Sequence, residues 1–237
     1  MKAANRLRRT TLADDAYGVV REILLEGGRF RPGDKISVED LSRELGVSRS
    51  PIWAAVARLE ADGLLQVVPR QGVFLKRFEA EAVLALFQAR EALEGMAARL
   101  MAARFDPGQG ATLAALVARQ AACLEQGDGP GLAVVAAEFH QEIARGGGNP
   151  VIERALASIH GQLQCVDVQP AVESRLDNCR DHQALVSALE AGDPNRAEAI
   201  TRLHVRRLAT LAMHALDRPD LAPPSGPGVW GPRPQPG

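Results

Sequence analysis

The sequence has few aromatic residues, few cysteines and no long apolar run. Aromatic residues make up 4% of the 237 residues, so a helical core would pack through Ala, Leu and Val, whose small side chains allow close approach. Three cysteines, Cys123, Cys165 and Cys179, are too few and too scattered for a disulfide scaffold. No stretch approaches the roughly 20 apolar residues of a membrane span, and the basic start lacks the apolar segment of a signal peptide. We therefore expect no membrane partner and a cytoplasmic location.

The net charge of −1 hides an uneven distribution along the chain. Residues 1–78 hold 14 Lys and Arg against 10 Asp and Glu, whereas residues 79–237 hold 14 against 19. This asymmetry indicates a basic head, residues 1–78, that could bind an anionic polymer. The head is joined to an acidic body, residues 79–237, with a different function. The alternative is that solvated charges fell unevenly between two ordinary domains.

The first third of the chain contains three helical patterns followed by a hairpin pattern. The helices are predicted over 12–27, from the capping residue Ser37 to Gly46, and from Pro51 to Asp62. Two short helices around a Gly-containing turn are typical of a helix-turn-helix, in which the second helix enters the major groove. β-rich runs at 64–68 and 73–75 surround a Pro/Gly turn and predict a wing. We expect a flexible segment over 1–11 and a winged helix-turn-helix over 12–77.

From residue 78 onward the pattern is helical only. Pro/Gly breaks separate six predicted helices, and these cover 80–104, 107–126, 131–145, 150–166, 171–191 and 194–216. The fold class is thus mainly α, with an antiparallel helical bundle over 78–216. The Pro/Gly-rich tail, 217–237, is predicted to be disordered.

Several motifs occur together in a fixed order. In the head they are RPGD at 31–34, LSRELGVSRSP at 41–51, RLEADGL at 58–64 and PRQG at 69–72; in the body they are REALE at 90–94, Phe139-His140 before Gly148-Asn149-Pro150, Asp181-His182 before Ala191-Gly192-Asp193, and His204. Over roughly residues 12–216 the chain resembles the GntR family of bacterial transcription regulators, in particular the FadR-like branch with an all-helical FCD effector domain. The resemblance implies a homodimer that binds double-stranded operator DNA, with a body that senses a small molecule.

The resemblance places DNA contacts on the third helix and at the wing, namely at Arg49, Ser50, Trp53, Arg58, Arg70 and Gly72. Arg49 could reach a guanine edge or a phosphate, or remain a solvated arginine at a helix start. Arg58 fits a phosphate contact or a contact within the head. Arg70 and Gly72 could approach the minor groove, although Gly72 also suits a plain hairpin turn.

At one position the head departs from the family. Relatives commonly have Pro-Val-Arg-Glu-Ala-Leu where this chain has Pro51-Ile52-Trp53-Ala54-Ala55-Val56, so Trp53 replaces an arginine. An indole has one N–H donor and no charge, and it cannot make a bidentate guanidinium contact. We hypothesise that Trp53 packs against thymine methyls or the sugar backbone; the alternative is a tryptophan packed within the head.

Three histidines lie on the inward faces of separate body helices. His140, His182 and His204 are spaced by 42 and 22 residues, as are the metal-binding histidines of the FCD class. Converging imidazoles suit a divalent metal such as Zn or Ni, whereas a single inward histidine is more often a hydrogen-bonded core residue. His160 and His214 match no motif, and Cys179 is expected to be a small core residue.

The class adds an aspartate one turn before the first of these histidines, and here that position is Ala136. Glu138 lies about 200° around the helix from His140 and is a poor substitute. Either three histidines hold the metal together with solvent or an effector carboxylate, or the site is weakened or empty.

Arg90 resembles an arginine that in the class points toward the effector pocket. It could pair with an effector carboxylate, or form a structural salt bridge with Glu94 at i+4. The leading interpretation is a ligand-responsive transcription regulator, a repressor that senses a small organic acid. The alternatives are a metal-free acyl-CoA-type sensor of the same fold and, less favoured because no glutamate is placed as a general base, a metal-dependent hydrolase.

Overall fold

A computed structural model describes residues 12–25, 29–166 and 172–217. These residues divide into two compact units, one ending at Arg77 and the other beginning at Phe78. The predicted flexible start, the glycine end of the first helix and the predicted disordered tail lie outside the described residues. None of the helices in the described ranges is long and apolar enough to cross a bilayer.

The first unit combines three helices with a small sheet. In chain order it contains α1 (Leu12–Leu25), β1 (Lys35–Ile36), α2 (Val38–Glu44), α3 (Arg49–Ala61), β2 (Leu65–Val68) and β3 (Gly72–Leu75). The strands are antiparallel in the order β1-β3-β2, with Ile36 opposite Val73. Strand β1 was not predicted, because two residues are too short to show an alternating pattern.

The turn between α2 and α3 is fixed by local hydrogen bonds. The Ser37 hydroxyl accepts a hydrogen bond from the Asp40 backbone N–H at 3.1 Å and caps α2, as predicted. Gly46 ends the turn with φ of +64°, and the Ser42 hydroxyl donates to the Val47 carbonyl at 2.6 Å. Helix α3 begins at Arg49, earlier than predicted, because Ser48 is its N-cap and Pro51 fits within the first turn.

The second unit contains all six predicted helices. They are α4 (Ala80–Ala102), α5 (Pro107–Gln126), α6 (Gly129–Gly146), α7 (Pro150–Gln164), α8 (Val172–Glu190) and α9 (Pro194–Asp217). Helix α6 begins at Gly129 rather than at residue 131, because Asp128 caps it and Pro130 is tolerated in the first turn. The mainly α architecture predicted from the sequence is confirmed.

The core of the second unit is made largely of small aliphatic side chains. Fully buried members include Ala97, Met101, Leu113, Phe139 and Leu189. Helices α4 and α9 pack along each other, and α6 and α8 each pack on α5. This arrangement turns one face each of α4, α6, α8 and α9 toward a common interior, in which the polar groups described next are found.

Candidate functional site

The three histidines predicted from the motifs come together inside the second unit. His140 lies on α6, His182 on α8 and His204 on α9, with 9%, 2% and 3% of their surfaces exposed. One ring nitrogen from each lies within 4.8 Å of the others. The ring centroids are 4.8 to 5.3 Å apart. The prediction that all three face inward is therefore confirmed, and they form one cluster.

In each histidine the Nδ1 atom lies against an oxygen acceptor from a neighbouring residue. The three pairs are His140 with Glu94 Oε2 at 3.1 Å, His182 with Gln120 Oε1 at 2.7 Å and His204 with Asp181 Oδ2 at 3.0 Å. Because the Gln120 and Asp181 oxygens favour a proton on Nδ1, the lone pairs of His182 and His204 belong to Nε2. Outer acceptors of this kind orient histidine rings around metal ions.

Two ring Nε2 atoms have no hydrogen-bond partner among the residues that the structure describes. Nε2 of His182 and Nε2 of His204 are buried without a hydrogen bond. A buried polar group left in this state costs about 1–3 kcal/mol, so an outside partner is favoured there. Three imidazoles form a donor set that fits a borderline ion such as zinc or nickel and leaves a coordination position open.

The histidines are held in the neutral form that binds metals. Burial lowers the pKa of His140 to about 4, with the Arg90 guanidinium adding to the effect against the opposing Glu94 carboxylate. Burial likewise lowers the pKa of His204 to about 4 and that of His182 well below its ordinary value. At neutral pH an incoming cation would therefore not compete with bound protons.

A buried carboxylate, Glu94, joins the cluster to two further residues. Arg90 Nε donates to Glu94 Oε1 at 2.5 Å, and His160 Nε2 lies 2.6 Å from the same oxygen. Burial would raise the pKa of Glu94, but the Arg90 charge and the contacts with His140 and His160 hold it well below its usual range. The Arg90–Glu94 salt bridge, one of the two predicted roles of Arg90, is present.

A cavity of about 240 Å³, here called the main cavity, opens onto this cluster. Its wall includes the three histidines together with Arg90, Ala136 and His160. Ala136 lies one turn before His140, as predicted, and contributes only a methyl group to the wall. Glu138 is paired with Arg119 at 2.5 Å instead, which agrees with the expectation that it does not replace the missing aspartate.

Sequence reasoning did not single out Glu94 as a site residue, and it missed Gln120, Asp181 and His160. For Glu94 a signal was present, because the buried positions of α4 follow helical spacing through Val83, Phe87, Arg90, Glu94 and Met101. Because Arg90 and Glu94 belong to this buried stripe, both charged side chains must lie inside the helical unit. Gln120 follows Leu113 and Leu116 on the buried stripe of α5 in the same way. Asp181 belonged to the Asp181-His182 motif but was given no role, and His160 matched no motif.

Helix α3 of the first unit presents an exposed face formed by Ser50, Trp53, Ala54 and Ala57. These positions are spaced as i, i+3, i+4 and i+7, so they lie on one side of the helix. Trp53 has 47% of its surface exposed, so its side chain is packed only in part against the head. Arg49 begins the helix and pairs with Glu39 of α2 at 2.5 Å.

Arg58 makes its contacts with other residues of the first unit, although its side chain is about half exposed. Its guanidinium pairs with Asp14 of α1 at 2.6 Å and lies 4.1 Å from the centre of the Tyr17 ring. Tyr17 in turn donates a hydrogen bond to Asp62 at 2.6 Å. These contacts hold α1 against the end of α3. They correspond to the second of the two roles considered for Arg58, a contact within the head.

The wing turn has a backbone that depends on Gly72. Gly72 has φ of +126°, and a Cβ there would lie 2.8 Å from Cε of Lys35. Arg70 adopts a positive φ of 64° beside it. The turn therefore brings two cationic side chains, those of Arg70 and Lys35, near a glycine that leaves the backbone accessible.

Comparison with known proteins gives consistent matches. The family described as “Bacterial regulatory proteins, gntR family” matches residues 12–75, and the FCD domain matches residues 85–207. A probable D-xylose utilization operon transcriptional repressor of Paenarthrobacter nicotinovorans is 28% identical over 92% of this chain and 96% of its own. An HTH-type transcriptional regulator of Agrobacterium vitis is 30% identical over 54% of this chain and 76% of its own. The structure of E. coli McbR/YncC shares the fold, with a TM-score of 0.77, 20% identity and coverage of 87% and 99%.

Proposed function

The chain belongs to the GntR family of bacterial regulatory proteins, with an FCD domain as its second unit, and from this premise we propose that it is a repressor whose helical unit senses a small organic acid. As a family member it is a DNA-binding transcription regulator, and its relatives are regulators rather than enzymes. The observation that carries the proposal is the buried cluster of His140, His182 and His204, with two unpartnered Nε2 atoms beside a cavity that reaches Arg90.

In this proposal the three histidines hold a divalent metal such as zinc or nickel. Ala136 offers no ligand, so the open position is available to an effector carboxylate or to water. A bound ion would supply a positive charge that attracts and orients such a carboxylate. Glu94, Gln120 and Asp181 would keep the three rings in the orientation that the ion requires.

Arg90 is the second determinant of the effector. Its Nε is engaged by Glu94, and its side chain also borders the main cavity. The remaining N–H groups of a guanidinium suit a carboxylate. A cavity of about 240 Å³ is smaller than the roughly 300–1,000 Å³ of sites for drug-sized ligands, and this favours a small acid over the alternative acyl-CoA.

Binding to operator DNA is assigned to the face of α3 and to the wing. Arg49, Ser50 and Trp53 would meet the major groove, and Arg70 and Gly72 would approach the minor groove. Arg58 would act through α1, since Asp14 already holds it. We propose a symmetric homodimer in the cytoplasm, and a repressor role by analogy with the Paenarthrobacter relative, a probable operon repressor.

The test is fluorescence anisotropy of labelled DNA from the region upstream of the gene, with random DNA as competitor. Specific binding should fall steeply with salt. A small carboxylate should release the DNA from zinc-loaded protein, and EDTA or His182→Ala should abolish that response. His214→Ala is the matched control, because His214 is exposed on α9 and outside the cluster.

Two results would refute the proposed sensor. If an acyl-CoA released the DNA and EDTA changed nothing, the metal-free alternative would replace it. If specific and random DNA bound equally and weakly, the assigned DNA-binding surface would be wrong.

Effector and DNA should also weaken each other's binding by the same factor, because coupling between two binding sites is reciprocal.

A further inference from the structure

A smaller cavity, here called the side cavity, lies beside the main cavity. Its volume is about 90 Å³, and its wall includes Gln120, Arg175 and Cys179. The two cavities share four wall residues, which are Ala133, Ala136, Asn178 and His182. They are therefore neighbours on either side of a common boundary that contains His182, whose Nε2 has no hydrogen-bond partner among the described residues.

The side cavity contains a buried donor without a partner. Gln120 is fully buried, and its Oε1 accepts from His182 Nδ1 and from the Cys179 thiol at 3.6 Å. This assigns the oxygen end of the amide and leaves Nε2 as the donor, for which none of the described residues supplies an acceptor. A buried N–H₂ group in this state favours an oxygen atom from a ligand.

Arg175 contributes a guanidinium group to the wall of the side cavity. Its guanidinium lies against Gly129 at the start of α6, where Nη1 would be 2.8 Å from an added Cβ. None of the described residues that line the side cavity is acidic. The Gln120 amide N–H₂ and the Arg175 guanidinium are both donors in this wall, and together they suit a carboxylate.

The residue that departs from the class pattern stands at the boundary between the cavities. Ala136 contributes a methyl group to both walls, whereas an aspartate would project a carboxylate into the same space. The absence of an aspartate at position 136 removes a metal ligand and at the same time leaves room between the two cavities. A ligand carboxylate near the cluster could extend past residue 136 toward Gln120.

We propose that the effector is an organic acid with two acidic groups. One group lies in the main cavity on Arg90 and the metal, and the other lies in the side cavity on Gln120 Nε2 and Arg175. This inference rests on the proposed function, because the first group uses the site assigned there. It adds a second anion subsite and names dicarboxylates as the effector class.

Calorimetric titration of the zinc-loaded full chain tests the proposal. The probes are malonate, succinate, glutarate and adipate, each compared with the monocarboxylate of the same carbon number. We expect at least one dicarboxylate to bind about tenfold or more tightly than its monocarboxylate. Equal affinities throughout the series would overturn the second subsite.

Two matched variants test whether Arg175 causes the tighter binding of dicarboxylates. Arg175→Gln should abolish the dicarboxylate advantage while leaving monocarboxylate and zinc affinity unchanged, which also reports that the protein is folded. Arg180→Gln on the same helix should have no effect, since Arg180 is exposed and paired with Asp177. If the two variants behaved alike, the role of Arg175 would be refuted.

A third variant, Ala136→Asp, tests whether the small side chain at position 136 is needed for the binding of dicarboxylates. The new carboxylate should strengthen zinc binding and remove the preference for dicarboxylates, because it occupies the boundary between the cavities. An Ala136→Asp protein that kept the preference would overturn the proposed path past residue 136. Failure of every acid, mono- or dicarboxylic, to bind zinc-loaded protein would instead refute the acid-sensing function itself.

Discussion

Arg90 and Glu94 lie one helical turn apart on α4 and share a 2.5 Å hydrogen bond from Nε to Oε1 inside the helical unit. Only 8% and 2% of their surfaces are exposed. Because Glu94 also contacts His140 and His160, a single carboxylate links the arginine of the main cavity to a ring of the histidine cluster. Loss of one partner of a buried ion pair leaves an uncompensated charge.

Glu94→Gln should therefore weaken both stability and metal binding. It leaves the buried Arg90 without a counter-charge, which should lower the free energy of unfolding by about 3 kcal/mol. Zinc affinity should fall by about 10- to 100-fold, as for other outer partners of metal-binding histidines. Urea unfolding and a zinc titration measure the two effects. Glu138→Gln removes a surface carboxylate paired with Arg119 and should change stability by less than about 1 kcal/mol. Equal behaviour of the two variants would contradict the assignment.

Zinc should stabilise the protein against heating. An ion that binds only the folded state contributes about 2.7 kcal/mol at a concentration 100 times its dissociation constant. Differential scanning calorimetry should show a higher Tm with zinc and its reversal by EDTA. His182→Ala and His204→Ala should lose the shift, whereas His214→Ala should keep it. A shift that persists in both cluster variants would show that the zinc binds elsewhere.

Trp53→Ala should weaken specific DNA binding without unfolding the head, because the side chain is half-exposed on α3. Anisotropy titrations should show weaker specific binding, because the variant loses an apolar contact to a thymine methyl or to the sugar backbone. Trp53→Arg, which restores the residue common in the family, should steepen the dependence of affinity on salt by about one unit if the guanidinium meets a phosphate. Unchanged affinity in Trp53→Ala would remove Trp53 from the DNA contact.

Glu39→Gln should tighten DNA binding. Glu39 holds the Arg49 guanidinium at 2.5 Å, and its negative charge opposes an approaching phosphate. Both ends of the pair are exposed, so the expected gain is about two- to fivefold. Asp40→Asn removes the same charge from the same helix but releases Arg43 instead of Arg49. A gain no larger in Glu39→Gln than in Asp40→Asn would exclude a specific role for Arg49.

The features that could be predicted from the sequence are those that depend on residues close together in the chain. Helix caps such as Ser37, the Pro/Gly breaks and the inward stripes gave the helices, and motif spacing singled out the three histidines. The acceptors around those histidines depend on which helices become neighbours. Gln120 meets His182 across 62 positions of sequence, and no periodicity predicts that contact. Strand β1 exists only because β3 pairs with it.

The exposed indole on α3 also has an optical consequence. The chain contains two tryptophans, Trp53 and Trp230. Indole emission responds to the displacement of surrounding water, so Trp53 should report the docking of α3 on DNA without an attached dye. Replacing Trp230 by Phe would leave a single emitter at the surface assigned to the operator. The residue that departs from the family's arginine would thereby give the protein an intrinsic spectroscopic probe of the proposed DNA contact.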